Sequence, residues 1–515
     1  MFDQFFAKPF WLTLSALAGL FVLSVFAYAM PALAGIVLLI STLGIAVVSW
    51  KHPEIGIAAA FAELFANSHG HLISYPIGGF SISLRMALFL GVMLAWIVSF
   101  LVGRTRISYS DFRLYPFIPV FAAVLLGFAV GFLQNDPLTA FQDGNAYMYL
   151  GYLFPILSIE WNSERKRLIL QVVAAAAIWI CILTLGLLFV FTHFPEWMLG
   201  PTYRFIRDTR TGELTKMAGV LFRVFLQAQM SAVLLSFLVA SFLFVRNVGR
   251  RTWWSIILLY SVLISVILIS LSRSFWVGIV AGVLTMLSIV TVYARPTFRT
   301  ATIAVGSISL ATILSLALLA AIVLFPYPYR VGRVGDLTGV LSDRTTNLSD
   351  VAISSRWNLL PPLLDEVRSS PLLGSGFGEE VTFKTDDPRA RAINPDGTWT
   401  TYAFEWGWLE LWLKMGLLGP LSFLLMLIGL IRGMWPYLRT DRSWIGIGFI
   451  ASFVMLYATH VFSPYLNHPL GLGILLLAVP FLKQNPPIMR SEAVVVDPIA
   501  VPLGIQESAA PSMSE

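Results

Sequence analysis

The chain has 515 residues, of which 57% are hydrophobic and only 12% are charged. Soluble domains carry about 25% charged residues, so this composition excludes a cytosolic enzyme and a disordered protein and indicates a membrane protein with many spans. The net charge is +6, from 34 Lys and Arg against 28 Asp and Glu, and the single cysteine, Cys181, excludes a disulfide framework and a cysteine-based metal site.

About fourteen apolar stretches approach the roughly 20 residues that a membrane-spanning helix needs. They predict an all-α polytopic helical bundle of about 12–14 transmembrane helices. In chain order the stretches are Pro9–Ala29, Pro31–Trp50, Pro53–Asn67, Ser83–Val102, Leu114–Leu133, Ala146–Trp161, Leu168–Phe191, Gly219–Val245, Thr252–Leu271, Phe275–Ala294, Thr300–Phe325, Ala403–Ile431, Ser443–Phe462 and Pro469–Leu482. The third, sixth and last stretches are short, so tilted, re-entrant or half-buried segments are alternatives there.

Basic residues cluster between alternate spans. The clusters are Arg104, Arg106 and Arg113; Arg165, Lys166 and Arg167; Arg246, Arg250 and Arg251; Arg295 and Arg299; and Arg432, Arg439 and Arg442. The short loops on the other side, Ser68–Phe80 and Gln134–Asn145, contain no Lys or Arg. Because cytoplasmic loops collect Lys and Arg, this alternation predicts a multi-pass protein of the cytoplasmic (inner) membrane with both termini in the cytoplasm.

The same pattern predicts three regions. Residues 1–216 form N-terminal transmembrane helices, residues 217–482 form a second transmembrane domain, and residues 483–515 form a disordered cytoplasmic tail. The second domain includes one large periplasmic loop, residues 326–401, with short helices. Apolar residues at helical spacing predict an amphipathic helix in this loop: Ile353, Trp357, Leu360, Leu364 and Val367, with Ser349 and Asp350 as caps. Pro361 and Pro362 should kink or split that helix.

A glycine-rich run, Gly374–Gly378, follows the predicted helix. No strand precedes it and no Walker lysine follows it, so a flexible turn is favoured over a nucleotide site.

Charged side chains at membrane depth cost about 2.5–3.5 kcal/mol each and therefore mark candidate sites. They are Glu63, Arg85, Arg223, Arg273, Glu405, Glu410 and Lys414. Arg223, Arg273 and Glu405 each follow or form an outer loop. Because arginine binds phosphate bidentately and stays charged, this group suits a phosphate-bearing lipid substrate.

Snorkelling to lipid headgroups is the alternative reading for each single arginine. Snorkelling explains Arg273 least well. This residue lies in a tight loop between two spans, where any residue could have been accommodated. Arg207 and Arg210 lie in a short basic outer segment, His193–Lys216. They are either tolerated charges or part of an electropositive surface for an anionic substrate.

The histidines give little sign of a metal site. His69 and His71 form a close pair without an accompanying carboxylate motif, which favours an ordinary loop over a metal centre. His460 and His468 flank an outer turn, where a functional role and turn packing are both open.

Four features occur in the order found in a known family. They are Arg223 in Leu221-Phe222-Arg223; Leu271-Ser272-Arg273-Ser274-Phe275-Trp276-Val277-Gly278, similar to LSRgxWlG; Ser355-Arg356-Trp357 followed by Pro371-Leu372-Leu373-Gly374-Ser375-Gly376-Phe377-Gly378, similar to SRxxxW…PllGxGfG; and Leu409 through Gly416-Leu417-Leu418-Gly419, similar to HNxxLxxxxExGllG. Over residues 217–482 the chain resembles the O-antigen ligase and O-antigen polymerase superfamily of bacterial multi-span glycosyltransferases.

The resemblance implies a reaction and a site. Such enzymes transfer a glycan from undecaprenyl diphosphate, at the periplasmic face, to a hydroxyl of a lipid, glycan or protein acceptor. They invert the anomeric carbon and use neither metal nor cofactor. The expected partners are the lipid-linked glycan, its acceptor and membrane lipid, with no nucleic acid. Carried over by motif, Arg223 and Arg273 would bind the diphosphate, and Arg356 would add a contact from the loop.

One departure concerns the base that activates the acceptor. Counting back from Gly416, the histidine of the family falls on Glu405 and its glutamate falls on Lys414. A desolvated carboxylate can act as a general base, and the aromatic neighbours of Glu405 predict that desolvation. Glu405 is therefore the predicted catalytic residue. The alternative is an interfacial Glu405 with His460 as the base.

Two other classes remain as alternatives to a ligase, polymerase or protein glycosyltransferase. A lipid-linked glycan transporter or flippase would place charges along a path across the membrane, whereas Leu168–Phe191 and Thr300–Phe325 carry none. A non-catalytic scaffold would have no reason to place Arg273 in a two-span hairpin, and a wide separation of Arg223, Arg273, Arg356 and Glu405 would favour it. Their convergence on one cavity would favour the enzyme.

Overall fold

The computed structural model describes residues 5–78, 80–107, 111–217, 219, 221–246, 248–328 and 351–482. Within these ranges, ten helices are long and apolar enough to cross a membrane, and two shorter apolar helices, Ser443–Thr459 and Pro469–Phe481, accompany them. The prediction of an all-α polytopic membrane protein is confirmed. The predicted tail and the predicted caps Ser349 and Asp350 lie outside the described residues, and the division into residues 1–216 and 217–482 stays a prediction.

The described α-helices are α1 (Lys8–Ala29), α2 (Pro31–Lys51), α3 (Pro53–Ala66), α4 (Leu84–Leu101), α5 (Ile118–Gln134), α6 (Pro137–Gly144), α7 (Leu153–Leu157), α8 (Ser163–His193), α9 (Glu196–Asp208), α10 (Met230–Val245), α11 (Arg250–Ser270), α12 (Arg273–Ile289), α13 (Phe298–Leu324), α14 (Val351–Ser369), α15 (Pro388–Ile393), α16 (Gly407–Met415), α17 (Leu418–Met434), α18 (Ser443–Thr459) and α19 (Pro469–Ala478). Three antiparallel hairpins join strands β1 (Ser74–Ile77) and β2 (Phe80–Ser83), β3 (Glu213–Lys216) and β4 (Phe222–Phe225), and β5 (Val381–Lys384) and β6 (Thr398–Thr401).

Prolines separate the first three helices. Each of α1, α2 and α3 has proline in its first turn, where the missing N–H has no intrahelical partner to lose. Helix α3 has 14 residues, or about 21 Å of rise, which is shorter than the roughly 30 Å hydrocarbon core. Ten of its 14 residues are buried. The predicted short span at Pro53–Asn67 is therefore a helix inside the bundle.

Three predicted spans have a different structure. Ala146–Trp161 contains a 3₁₀ segment, Asn145–Tyr152, and the five-residue helix α7. Gly219–Val245 begins with strand β4, and its helix starts only at Met230. Ala403–Ile431 is divided at Gly416, which has φ +62° and whose added Cβ would lie 2.1 Å from the carbonyl oxygen of Leu372. These stretches are continuously apolar because their residues are buried. Irregular segments can be buried as helices are, so an apolar run alone does not identify a helix.

Small residues allow the long helices to approach each other. A Cβ on Gly278 of α12 would lie 2.0 Å from Thr459 Oγ1 of α18, and one on Gly282 would lie 2.4 Å from Phe237 of α10. Such small-residue contacts are the usual interface between membrane helices, because they let backbones pack closely. They hold α12 against α10 and α18, and thereby position Arg273 at the first residue of α12.

An ion pair accommodates two of the predicted charges at membrane depth. Arg85 Nε donates to Glu63 Oε2 at 3.0 Å, and both side chains are buried. Arg85 also donates to the carbonyl oxygens of Asn67 and Ser68. Since each charge has a partner and further hydrogen bonds, a structural role accounts for both residues.

The loop helix predicted around Trp357 exists as α14, and its predicted apolar stripe is only partly correct. Val367 is buried as predicted, but the other buried positions are Leu359 and Leu363 in place of Leu360 and Leu364, and Trp357 is exposed. Pro361 and Pro362 lie inside a continuous helix and do not split it.

Candidate functional site

A hairpin presents Arg223. Strand β4 pairs with β3 so that Arg223 lies opposite Thr215. The Nε atom of Arg223 donates to the carbonyl oxygen of Ser270 at 2.8 Å, and Nη1 lies 3.6 Å from Glu213 Oε2. The guanidinium also lies over the ring of Phe225, 4.9 Å from its centroid. The hydrogen bond from Arg223 to the carbonyl oxygen of Ser270 links β4 to the end of α11, next to the turn that carries Arg273.

A tight turn between α11 and α12 presents Arg273. Leu271 takes a left-handed conformation, with φ 45°, and ends α11. Arg273 is the first helical residue of α12. Ser272 precedes it and makes no side-chain capping hydrogen bond. A helix N-terminus carries a partial positive charge and exposed N–H groups, and a guanidinium at that position adds to its preference for an anion. Ser274 accepts a hydrogen bond from Ser463 Oγ at 2.9 Å, which ties the turn to the segment after α18.

The loop supplies Arg356 and Glu405 as an ion pair. Arg356 Nε donates to Glu405 Oε2, and Trp406 Nε1 donates to the carbonyl oxygen of Arg356 at 2.9 Å. Trp406 also packs against Trp357 and Phe462, which holds the start of α14 against the segment before α16.

The predicted desolvation of Glu405 is wrong. Its side chain is 52% exposed, while that of Arg356 is 27% exposed. The aromatic neighbours pack elsewhere: Phe404 is buried, Trp406 packs as described, and Trp408 packs on Tyr457. The carboxylate of Glu405 is paired with the guanidinium of Arg356. It can act as a base only when this ion pair separates.

All four predicted residues line a single cavity of about 340 Å³. Arg223, Arg273, Arg356 and Glu405 share it with Glu213, and three arginines against two glutamates leave a formal balance of +1. The rest of the lining is Phe225, Gln227, Leu271, Ser272, Ser274, Phe462, Ser463, Pro464, Tyr465 and His468. We call this space the arginine cavity. Its charge and size suit an anionic headgroup.

One histidine reaches the arginine cavity, and it is His468. Its Nδ1 accepts a hydrogen bond from Leu470 N at 3.2 Å, which leaves Nε2 as a donor in the neutral ring. Burial, with help from His69 and Arg85, lowers the pKa of His468 well below its usual range. The imidazole is therefore neutral near pH 7 and adds no charge to the cavity.

His460, the alternative base, is outside the arginine cavity lining in the part of the chain described. It is fully buried and packs against Gly407 and the ring of Trp408. Its Nδ1 accepts from Leu466 N at 3.2 Å. Turn packing accounts for these contacts.

Arg207 and Arg210 are also not brought to the arginine cavity. Arg207 pairs with its neighbour Asp208 at 2.9 Å and is largely exposed. Arg210, with φ 49°, lies near enough to His69 and His71 to help lower the pKa of each, after burial.

A buried charge cluster was not anticipated. Lys414 Nζ lies 2.5 Å from both Asp143 Oδ1 and Glu410 Oε1, and its side chain is 2% exposed. Asp143 Oδ2 also accepts from the backbone N–H of Gly378 at 2.8 Å. The i,i+4 spacing of Glu410 and Lys414 was the available sequence signal, but Asp143 lies more than 250 residues away along the chain.

This cluster anchors the glycine-rich run, which is not the flexible turn that was expected. Phe377 is fully buried, and its N–H donates to the carbonyl oxygen of Gly127 at 3.0 Å. Asn135 donates to the carbonyl oxygens of Ser375 and Phe377. Gly376 has φ +83°, and an added Cβ would lie 2.2 Å from the backbone nitrogen of Gly131. The run is clamped against α5 and fixes the end of the loop.

Among the described residues, no group of three or more His, Cys, Asp and Glu side chains is arranged to hold a metal ion. The ring of His69 instead packs edge-on against His468, with centroids 5.2 Å apart.

Comparison with known protein families gives a match. The model of the O-antigen ligase family matches residues 260–424. Residues 260–424 are therefore similar to the O-antigen ligase family. The match includes Arg273, Arg356 and Glu405, while Arg223 precedes it, and it confirms the predicted superfamily. No curated protein and no solved structure matches the chain.

Proposed function

We propose that this membrane protein is a glycosyltransferase that moves a glycan from undecaprenyl diphosphate to an acceptor hydroxyl at the periplasmic face. The observation that carries the proposal is the convergence of Arg223, Arg273, Arg356 and Glu405 on one cavity, in a chain that is similar to the O-antigen ligase family over residues 260–424. The two termini are cytoplasmic in this proposal, as the distribution of Lys and Arg favours.

The arginines act on the leaving group. A diphosphate offers several acceptor oxygens, and guanidinium forks bind such groups bidentately. As the bond between the anomeric carbon and the phosphate oxygen breaks, negative charge grows on the diphosphate. Arg223 and Arg273, each held by the backbone of a turn or hairpin, stabilise this charge without reorganising. No step needs a metal.

Glu405 accepts the proton of the attacking hydroxyl. In the structure its carboxylate is paired with Arg356. The incoming diphosphate competes for Arg356, and this exchange releases the carboxylate for the acceptor. Donor binding thereby prepares the base. The lipid tail remains in the membrane, and the acceptor is a lipid, a glycan or a protein.

The test is transfer by purified protein, with undecaprenyl diphosphate glycan and acceptor, in the presence of EDTA. One added block identifies a ligase, and a ladder identifies a polymerase. Glu405→Gln should lower the transfer rate by about 10²–10⁴-fold, the usual contribution of a general base, without weakening donor binding. Glu405→Asp should recover part of the rate. An unchanged rate in Glu405→Gln would remove Glu405 from the mechanism.

A further inference from the structure

A second cavity lies on the other side of the Arg356–Glu405 pair. Its volume is about 370 Å³, and Arg356 and Glu405 line both this space and the arginine cavity. The ion pair therefore lies where the two cavities meet. The remaining lining comes from the loop and includes Phe383, Thr385, Trp399 and Thr401. We call this space the loop cavity.

Strand alternation explains which side chains face the loop cavity. Phe383 and Trp399 are directly opposite each other in the β5–β6 hairpin. Residues two apart on a strand share a face, so Thr401 of β6 joins them, and Thr385, the residue after β5, lines the same cavity. The intervening pair, Thr382 and Thr400, lies on the other face, with hydroxyls 2.8 Å apart. One face of the hairpin is thus aromatic and hydroxyl-bearing where it meets the cavity.

The two cavities differ in charge. The arginine cavity has three arginines and two glutamates, whereas among the described residues the loop cavity has one arginine, Arg356, which is already paired with Glu405. A space whose guanidinium already has a carboxylate partner disfavours a phosphorylated ligand. Aromatic faces offer an apolar surface, and carboxylate and hydroxyl oxygens accept hydrogen bonds from hydroxyl groups. These properties suit an uncharged, polyhydroxylated molecule.

We propose that the loop cavity binds an uncharged glycan as the acceptor and presents one of its hydroxyls to Glu405. This inference rests on the proposed function. The acceptor oxygen forms a bond to the anomeric carbon held at the arginine cavity, and the bond from that carbon to the diphosphate breaks. The hydroxyl proton passes to Glu405, and the electron pair leaves with the diphosphate. Trp399 is a binding residue for the acceptor sugar.

The test uses the full-length protein and the glycan freed of lipid and phosphate by mild acid hydrolysis of the donor. Trp399→Ala should raise the KM for this acceptor by about tenfold, the loss expected for one aromatic contact, without changing the KM for the donor. Trp399→Phe keeps an aromatic face and should recover most of the affinity. Trp197→Ala, an exposed tryptophan on α9 outside both cavities, is the matched control.

Direct binding separates this inference from the proposed function. Calorimetry with the arginine cavity saturated by undecaprenyl diphosphate should show the neutral glycan binding more tightly than its 1-phosphate, and Trp399→Ala should abolish this preference. Such binding without any transfer would support the loop cavity and refute the proposed reaction. Transfer with an unchanged acceptor KM in both Trp399 variants would refute the loop cavity and leave the reaction standing. Equal or tighter binding of the phosphate while undecaprenyl diphosphate fills the arginine cavity would refute the preference for an uncharged acceptor.

Discussion

Replacing Arg273 by glutamine removes a charge that the turn between α11 and α12 holds at the arginine cavity. Arg273 begins α12, and the turn before it is held by the left-handed Leu271 and by the hydrogen bond from Ser463 to Ser274. Glutamine is shorter than arginine but has good helix propensity, so the turn and helix should persist. The substitution therefore removes the charge and the guanidinium from the arginine cavity while the backbone around it stays in place.

The expected loss follows from the charge and geometry of the arginine cavity. With Arg273→Gln, two arginines face two glutamates, and the formal balance falls from +1 to zero. Removing one pre-organised donor to a developing anion costs about 2.7–4 kcal/mol, or about 10²–10³ in rate. Arg273→Lys keeps the charge but loses the planar fork, so it should fall between wild type and glutamine.

The assay is the initial rate of glycan transfer, with donor affinity measured in parallel. Arg299→Gln is the matched control, because Arg299 is exposed and lies on α13, beyond the far end of α12 from Arg273. This variant should transfer at the wild-type rate. If Arg273→Gln also kept the wild-type rate and donor affinity, the assignment of Arg273 to the diphosphate would be refuted.

Three further predictions concern the framework of the site. Lys414→Met leaves two carboxylates buried without their cation and should destabilise the fold by about 3–5 kcal/mol, measured by thermal unfolding in detergent; an unchanged Tm would show that the cluster is not structural. Gly376→Ala places a Cβ against the backbone of α5 at φ +83° and should lower the Tm, whereas Gly200→Ala, which meets no atom within 4 Å, should not; equal Tm values would contradict the clamp. Burial lowers the pKa of His69 to about 3, so between that value and about 6.5 the unfolded chain binds a proton that the folded chain does not. The Tm should consequently fall as the pH is lowered from 7.5 to 5, and His69→Gln should reduce this fall; an equal fall in the variant would exclude His69 as a source.

The positions of Arg273 and of the long helices were predictable, because long apolar runs with a charged tight turn between them leave few alternatives in a membrane. Arg223 was assigned to a helix start, since its strand continues directly into an apolar helix and hydropathy does not distinguish the two. The cluster of Lys414, Glu410 and Asp143 depends on packing between distant segments, which no local pattern records.

The exposure of Glu405 illustrates a different limit. Aromatic neighbours along the chain were taken as neighbours in space, but successive side chains diverge, and Phe404 and Trp408 pack into other parts of the structure. The ion pair with Arg356, 49 residues earlier, required the folded loop. Motif order located the residue, and only the three-dimensional structure identified its partner.

The most direct test of the account is the stoichiometry of the reaction. Purified protein in liposomes, given undecaprenyl diphosphate glycan and acceptor, should release undecaprenyl diphosphate and form extended acceptor in equal amounts, with both products lost together in Arg273→Gln and in Glu405→Gln. Movement of intact lipid-linked glycan across the bilayer without release of undecaprenyl diphosphate would contradict the account.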